Sequence, residues 1–347
     1  MKQITRFILV PAVIGALVGL GIIALNGVST NKPGYATAVS RAAPAVVNIY
    51  STKITRRGVI CRNPQYRALC EAFPSEPQVQ NSLGSGVIVR EDGLVLTNQH
   101  VVAQADEILV MFANNQTTSA QVIGSDAHTD LAVIKVAARG LPVIPQLDAS
   151  DQPQVGDIAL AIGNPFGLGH SVSQGIISAF SRSVITNSPY DDFIQTDAAI
   201  SPGNSGGALV DHEGRLLGIN TMIYTQSGGS DGIGFAIPAD IALNVLQQIT
   251  LNGRVIRGWL GISLTPQPVP DAPQGLYVTN VTPNGPSARA GIAPGDTIIS
   301  VNGITAVNAY AIIQIIERTA PGATVELEVM RNNERFLASA IAAELPR

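Results

Sequence analysis

Short runs of apolar and β-branched residues, each followed by a turn signal, make up the chain from Pro44 to about Thr221. No helical period lies between these runs, and strands at this spacing are typical of a barrel or sandwich rather than of alternating strands and helices. We therefore expect a mainly β domain here. The clearest candidate strands are 45–50, 86–90, 94–97, 107–112, 131–136, 158–162, 207–210 and 216–220.

A helix is predicted over 239–251, because Ile241, Val245 and Ile249 recur at helical spacing and Gly253 follows as a stop signal. It closes the first domain, which we place at 44–253. A second β-rich block, 257–347, is of a size that suits one small domain. Its expected strands lie near 276–281, 297–301 and 325–330, and its expected helix near 310–318.

The amino terminus carries an apolar segment. Residues 7–25 are uncharged and mostly apolar, and Lys2 and Arg6 precede them. At 1.5 Å per residue the segment is roughly 28 Å long, close to the thickness of a bilayer's hydrocarbon core. Cations before it place the amino terminus in the cytoplasm and the rest of the chain outside. We expect residues 1–27 to form a cytoplasmic stub and a transmembrane anchor.

A cleaved signal peptide is the alternative interpretation of that segment. The nearest small-residue cleavage site is at 36–38, well past Leu25, whereas such sites normally follow the apolar region at once. We favour the uncleaved anchor, followed by a linker at 28–43.

The charge balance excludes some partners. Lys and Arg number 21 against 25 Asp and Glu, a formal net charge of −4, so the chain lacks the basic stripe of a nucleic-acid-binding protein. No two of the four histidines have close zinc-site spacing. We expect no nucleic acid, no metal and no cofactor.

The two cysteines, Cys61 and Cys70, lie in one segment rich in Arg, Pro and Gln. An exported chain meets oxidising conditions, so this pair is expected to form a local disulfide.

A serine in a glycine-rich turn has two candidate partners upstream. Ser205 lies in the turn 202–207, His100 follows a predicted strand, and Asp130 begins an apolar run. The turn alone is a weak signal, since Gly, Pro, Asn and Ser are ordinary turn residues. The order His, Asp, Ser is that of the chymotrypsin-like proteases and not that of subtilisins or α/β-hydrolases. It predicts a chymotrypsin-like double β-barrel.

These residue types fit nucleophilic catalysis. A serine hydroxyl needs a base, so Ser205 would attack while His100 takes its proton, and Asp130 would hold the imidazole tautomer. The backbone N–H groups of Gly203 and Ser205 would stabilise the oxyanion.

Longer motifs around these residues resemble the HtrA family of serine proteases. The segments 97–102, 129–133 and 195–207 resemble the three catalytic blocks of that family, and 232–238 resembles the usual end of its protease domain. The resemblance covers about residues 35–347.

The segment 257–262 resembles the carboxylate-binding loop of a bacterial PDZ domain. Loop N–H groups in such a domain bind the terminal carboxylate of a peptide, which adds as a strand beside the groove. The residues expected to bind the carboxylate are Trp259, Leu260, Gly261 and Ile262.

An anchor, one protease domain and one PDZ domain is the layout of the membrane-bound members of the family. The resemblance implies an inner-membrane homotrimer with its domains in the periplasm. The carboxyl termini of misfolded outer-membrane proteins would activate it, and its substrate would be a membrane-spanning anti-sigma factor, in which it makes the first cut. Arg182 would relay peptide binding to the oxyanion turn.

Two other functions stay open. One is a general quality-control protease that degrades unfolded periplasmic proteins. The other is a tethered peptide-binding or chaperone module with an inactive protease domain, against which the complete set His100, Asp130 and Ser205 argues.

Overall fold

The computed structural model of the chain describes residues 34–55, 78–148, 150–164, 169–180, 193–223, 232–266 and 274–346. The expected anchor, both cysteines and Arg182 lie outside these ranges. Among the helices in the described ranges, none has the length and apolar character needed to cross a membrane.

Six antiparallel strands close into a first barrel, in the order β1-β2-β3-β6-β5-β4. Ile49, Ile88, Leu96 and Ile134 are among its fully buried side chains, so the barrel interior is packed and apolar. Helix α1 and a 3₁₀ turn precede the barrel, and helix α2 follows β3. The elements are α1 (Ala36–Ala42), the 3₁₀ turn (Ala43–Ala45), β1 (Val46–Thr55), β2 (Gln78–Arg90), β3 (Leu94–Asn98), α2 (Gln99–Val102), β4 (Glu107–Met111), β5 (Thr117–Asp126) and β6 (Leu131–Val136).

A second barrel follows, closed in the order β10-β11-β12-β9-β8-β7. Its core includes Ile177, Ile200, Leu209 and Leu217. Helix α3 ends at Gly253 and packs on β5 and β6 of the first barrel and on β11 and β12 of the second, so it joins the two. The elements are β7 (Ile158–Gly163), β8 (Ser171–Ala179), β9 (Ile194–Thr196), β10 (Ala208–Val210), β11 (Leu216–Ile223), β12 (Gly234–Pro238) and α3 (Ala239–Asn252).

The carboxyl-terminal region is a six-stranded antiparallel sheet. Five of its strands follow the order β14-β15-β16-β18-β19, β17 pairs with β16, and β13 and β20 form a separate ribbon. Helix α5 packs its buried Ile312 and Ile316 into the same core as Leu276 and Val325. The elements are β13 (Gly258–Trp259), β14 (Ile262–Pro266), β15 (Leu276–Val281), α4 (Pro286–Arg289), β16 (Thr297–Val301), β17 (Ile304–Thr305), α5 (Ala309–Arg318), β18 (Thr324–Arg331), β19 (Glu334–Ile341) and β20 (Ala343–Glu344).

The prediction of a mainly β chain, with a double barrel followed by a smaller β-rich domain, is confirmed by this architecture. The helix at 239–251 and the strands at 276–281 and 297–301 lie where the sequence predicts them. Part of the expected linker forms α1, with Ala38 and Ala42 buried. The domain limits remain predictions.

Candidate active site

The pairing of β3 with β6 brings His100 and Asp130 together. These strands are antiparallel, with Asn98 opposite Leu131, so the residues just after β3 lie beside those just before β6. His100 is in α2, and Asp130 ends the turn that precedes β6.

The carboxylate of Asp130 contacts His100 at two points. His100 Nδ1 lies 2.7 Å from Asp130 Oδ2, and the backbone N–H of His100 donates to Asp130 Oδ1 at 3.0 Å. An ionised carboxylate only accepts hydrogen bonds, so Nδ1 carries the proton and Nε2 is left as an acceptor. This is the tautomer that a general base facing a serine requires.

The backbone of Asp130 is held in an uncommon conformation. Its φ is 53°, in the left-handed region that Asp and Asn tolerate better than most residues. Its carbonyl accepts from the backbone N–H of Gln99 at 2.9 Å and from Asn98 Nδ2 at 3.0 Å. These bonds tie the Asp130 turn to the end of β3, and so fix the carboxylate relative to α2.

Ser205 reaches the same region from the second barrel. It lies in the turn 202–207 before β10, which we call the serine turn. Its hydroxyl donates to the carbonyl of Thr221 at 2.9 Å. Within the described ranges, no hydrogen bond joins Ser205 to His100. The structure therefore brings His100 and Asp130 into direct contact and leaves the Ser205 hydroxyl on a different acceptor.

Thr221 is a site residue that the sequence analysis misses. Its hydroxyl donates to Asp130 Oδ2 at 3.0 Å, while its carbonyl accepts from Ser205, so it touches both. The pairing of β11 with β12 shifts between Asn220 and Met222, which leaves Thr221 as the extra residue of a bulge. Bulges re-aim side chains in this way. The contact spans 91 positions, and no local motif signals it.

The turn at Ser205 has backbone donors available. Among the described residues, no acceptor is found for the N–H groups of Gly203 and Ser205. Gly206 has a φ of +84°, and a Cβ built there would lie 2.1 Å from the Ser85 carbonyl oxygen. Only glycine fits so close to that strand, which explains the Gly after the serine. These two N–H groups, on either side of Asn204, are candidate donors to an oxyanion.

The loop expected to bind a carboxylate lies between β13 and β14. Gly261 has a φ of +72°, and a Cβ built on it would lie 3.0 Å from the ring of Trp259. The carbonyls of Leu260 and Gly261 accept from Ser287 N at 3.0 Å and Thr282 N at 2.7 Å. Within the described residues, the N–H groups of Leu260 and Gly261 have no acceptor. They are therefore available to an incoming anion.

An ion pair joins the base of this loop to the first barrel. Arg257 donates from Nη1 to Asp126 Oδ1 at 2.8 Å and from Nη2 to Asp126 Oδ2 at 2.6 Å. The Arg257 and Asp126 side chains are only 11% and 6% exposed. Glu317 of α5 lies 3.6 Å from Arg257 Nε. Asp126 Oδ2 also accepts from the Thr129 hydroxyl at 2.6 Å, and Thr129 immediately precedes Asp130.

Two domain models match the chain. A trypsin-like peptidase domain matches residues 84–219, which span most of both barrels, and a PDZ domain matches residues 258–340.

Relatives match over most of the chain. A probable periplasmic serine endoprotease, DegP-like, of Halomonas elongata is 42% identical over 92% of this chain and 72% of that protein. The serine endoprotease DegS of Haemophilus influenzae is 41% identical over 90% of this chain and 88% of that protein.

Solved structures agree with these relatives. The HtrA-type protease AlgW with a tripeptide superposes with a TM-score of 0.79 at 44% identity, over 91% of this chain and 98% of that one. AlgW with a decapeptide gives a TM-score of 0.78 at 42% identity, over 90% and 99%. The paired His100 and Asp130, the serine turn between two barrels and these likenesses lead to one conclusion: the chain belongs to the HtrA family of serine endoproteases.

Proposed function

We propose that this chain is a membrane-anchored periplasmic endoprotease of the DegS and AlgW type, activated by peptides at its PDZ domain. Its proposed substrate is a membrane-spanning anti-sigma factor, in which it makes the first cut. The observation that carries the proposed endoprotease activity is the 2.7 Å contact between His100 Nδ1 and Asp130 Oδ2, with Ser205 bonded to Thr221, which itself bonds Asp130. The likeness to DegS and AlgW supports the finer role.

In the proposed mechanism Ser205 is the nucleophile. Its hydroxyl turns from the Thr221 carbonyl toward His100 Nε2, which takes the proton as Oγ bonds to the scissile carbonyl carbon. The C–N bond then breaks, and the imidazolium gives its proton to the leaving amine. A water, deprotonated by His100, hydrolyses the acyl-serine ester and restores the hydroxyl. Asp130 stabilises the imidazolium in both halves.

The proposed oxyanion site consists of the N–H groups of Gly203 and Ser205. Charge develops on the scissile oxygen only in the tetrahedral intermediate, so donors aimed at that position lower the barrier without binding substrate more tightly. Removing one such donor from a comparable site costs about 10²–10³ in rate.

The PDZ domain is the proposed sensor. A peptide's terminal carboxylate would bind the N–H groups of the 259–262 loop, and its backbone would pair with β14. AlgW structures that hold a tripeptide and a decapeptide support peptide binding in this family. Arg257 connects that loop to Asp126, four residues before Asp130, which supports communication between the two domains. Arg182 remains proposed as a relay residue.

The compartment and assembly are also proposals. The names of the relatives place DegP-like proteins in the periplasm. The apolar segment 7–25 supports an inner-membrane anchor, a homotrimer is proposed from the resemblance, and Cys61 and Cys70 are proposed to form a disulfide.

A general quality-control protease is the second candidate, because several relatives of 40–42% identity are DegP-like. The match covers 88% of the DegS relative and 72% of the DegP-like one, which favours the signalling role.

Cleavage assays with the full-length chain separate the two functions. The substrates are the periplasmic domain of a membrane-spanning anti-sigma factor and unfolded casein, each with and without peptides that end in aromatic residues. Peptide-dependent cutting of the first alone is expected, whereas peptide-independent casein degradation would indicate quality control. Ser205→Ala should abolish all cutting, and if it does not, Ser205 is not the nucleophile.

A further inference from the structure

Ser85 lies behind the serine turn and has four hydrogen bonds. It belongs to β2 of the first barrel and is fully buried. Its N–H donates to the Ser205 carbonyl at 2.8 Å, and its hydroxyl donates to the Gly203 carbonyl at 2.7 Å. The same hydroxyl accepts from Asn164 N at 3.0 Å, and the Ser85 carbonyl accepts from the Thr97 hydroxyl at 2.7 Å. Ser85 thus binds both residues whose N–H groups form the proposed oxyanion site.

The backbone at 201–204 is a type II turn. Asn204 N donates to the Ser201 carbonyl at 2.9 Å, Pro202 holds the second position, and Gly203 has a φ of +97°. In a type I turn the peptide between Pro202 and Gly203 is rotated by roughly 180°, and the third residue has a negative φ. The turn type therefore decides on which side the Gly203 N–H points.

The Ser85 hydroxyl fixes the peptide that follows. The Gly203–Asn204 peptide has its oxygen bound by Ser85 and its N–H bound by the Ser201 carbonyl. With both ends held, this peptide is fixed relative to β2, and the segment from Gly203 to Ser205 is anchored with it. Without the hydroxyl, the Gly203 carbonyl and Asn164 N would both lose a buried partner, which is costly.

We propose that Ser85 is a positioning residue that anchors the serine turn to the first barrel, so that the N–H groups of Gly203 and Ser205 stay in place for the oxyanion. This inference rests on the proposed roles of Ser205 and Gly203. Ser85 itself does not contact substrate, and it acts from the first barrel on a turn of the second.

The test compares Ser85→Ala with a matched control, Ser51→Ala, in the full-length chain. Ser51 is also buried in the first barrel, and its hydroxyl also donates to a backbone carbonyl, that of Val101, at 2.6 Å. The measurements are kcat and KM for an unstructured peptide substrate, and the inhibition constant of a peptide boronic acid, which mimics the tetrahedral intermediate. Ser51→Ala loses one buried hydrogen bond and Ser85→Ala loses two, so both are expected to melt at a lower temperature.

Only Ser85→Ala should lower catalysis. Its kcat is expected to fall about tenfold, with KM within about twofold and boronate affinity weakened in parallel with kcat. Ser51→Ala should keep kcat within about twofold. Equal kcat values for the two variants, or a Ser85→Ala effect confined to KM, would overturn the inference.

Gly203→Ala tests the turn independently and covers a Ser85→Ala variant that does not fold. A Cβ at +97° disfavours the type II turn, so the same loss of kcat and boronate affinity is expected. A Gly203→Ala variant with wild-type kcat would also overturn the inference. Ser205→Ala serves as the reference. If this variant is active, Ser205 is not the nucleophile. If it is inactive while Ser85→Ala is fully active, only the proposed role of Ser85 is wrong.

Discussion

Arg257 and Asp126 form a two-point ion pair, almost removed from solvent, between the start of the PDZ domain and the end of β5 in the first barrel. Its contacts fix Arg257, which lies at the start of the loop that is proposed to bind a peptide carboxylate. Removing one member of a buried pair costs more than the pair itself contributes, because the other charge is left desolvated.

Asp126→Asn is therefore expected to lower the free energy of unfolding by about 3 kcal/mol. Urea unfolding followed by circular dichroism measures this loss. Glu328→Gln is the matched control: its partner Arg335 is 60% exposed, and such a pair contributes less than about 1 kcal/mol. Equal losses for the two variants would contradict a special contribution of the Asp126 pair.

The same carboxylate makes stability depend on pH. Burial alone would raise the pKa of Asp126, but the hydrogen bonds and charge of Arg257 outweigh it and hold that pKa below its ordinary value of 3.8. A carboxylate with a lowered folded-state pKa stabilises the fold above the unfolded-state value and loses that contribution as the pH falls through the folded-state value.

Below about pH 4, the wild-type free energy of unfolding should thus fall more steeply than that of Asp126→Asn. Urea titrations at a series of pH values measure both slopes. Parallel curves for the two proteins would show that Asp126 does not titrate differently in the folded state.

Thr221→Val should lower kcat/KM about tenfold while leaving the fold intact. The substitution keeps the carbonyl that accepts from Ser205 but removes a hydrogen bond to a charged carboxylate, a contribution of about 1.5 kcal/mol. Thr221→Ser keeps the hydroxyl and should retain most of the activity. The measurement is kcat/KM for hydrolysis of a peptide substrate. A fully active Thr221→Val variant would mean that the Thr221 hydroxyl does not support Asp130.

Gly261→Ala should weaken binding of a carboxyl-terminal peptide, measured by fluorescence anisotropy. The new Cβ would sit at a positive φ and 3.0 Å from the Trp259 ring, so the loop must move. Gly322→Ala is the control, because Gly322 has a φ of +91° and open space around it. Both variants bear a backbone cost of roughly 1–2 kcal/mol, but only the first should change peptide affinity.

The apolar pattern of the sequence predicts a strand well where that strand is buried along its whole length. β6 lies where the sequence predicts it, because five of its six residues are buried and all but Lys135 are apolar. β5 is not predicted, since all residues from Thr117 to Gly124 are exposed or half-buried and half of them are polar. β8, β9 and β12 are missed as well; β9 is only three residues long. Closure of the barrel, rather than local pattern, makes such segments strands.

The site residues also fall into those that the sequence predicts and those that it does not. His100, Asp130 and Ser205 lie in motifs that identify them, although the sequence does not predict that the Ser205 hydroxyl bonds to Thr221. Thr221, Ser85 and the Arg257–Asp126 pair depend on contacts between 91 and 131 positions apart. A bulge, a buried hydroxyl and an ion pair between domains leave no periodic or motif signal.

The proposed site lies between two barrels, each of which closes on itself. His100 and Asp130 belong to the first, and Ser205 and Thr221 to the second. A small rigid shift of one barrel against the other would move Ser205 away from His100 while every strand kept its partners. Heat can then inactivate the enzyme before its β-structure is lost. An inactive preparation of this enzyme can therefore still be folded.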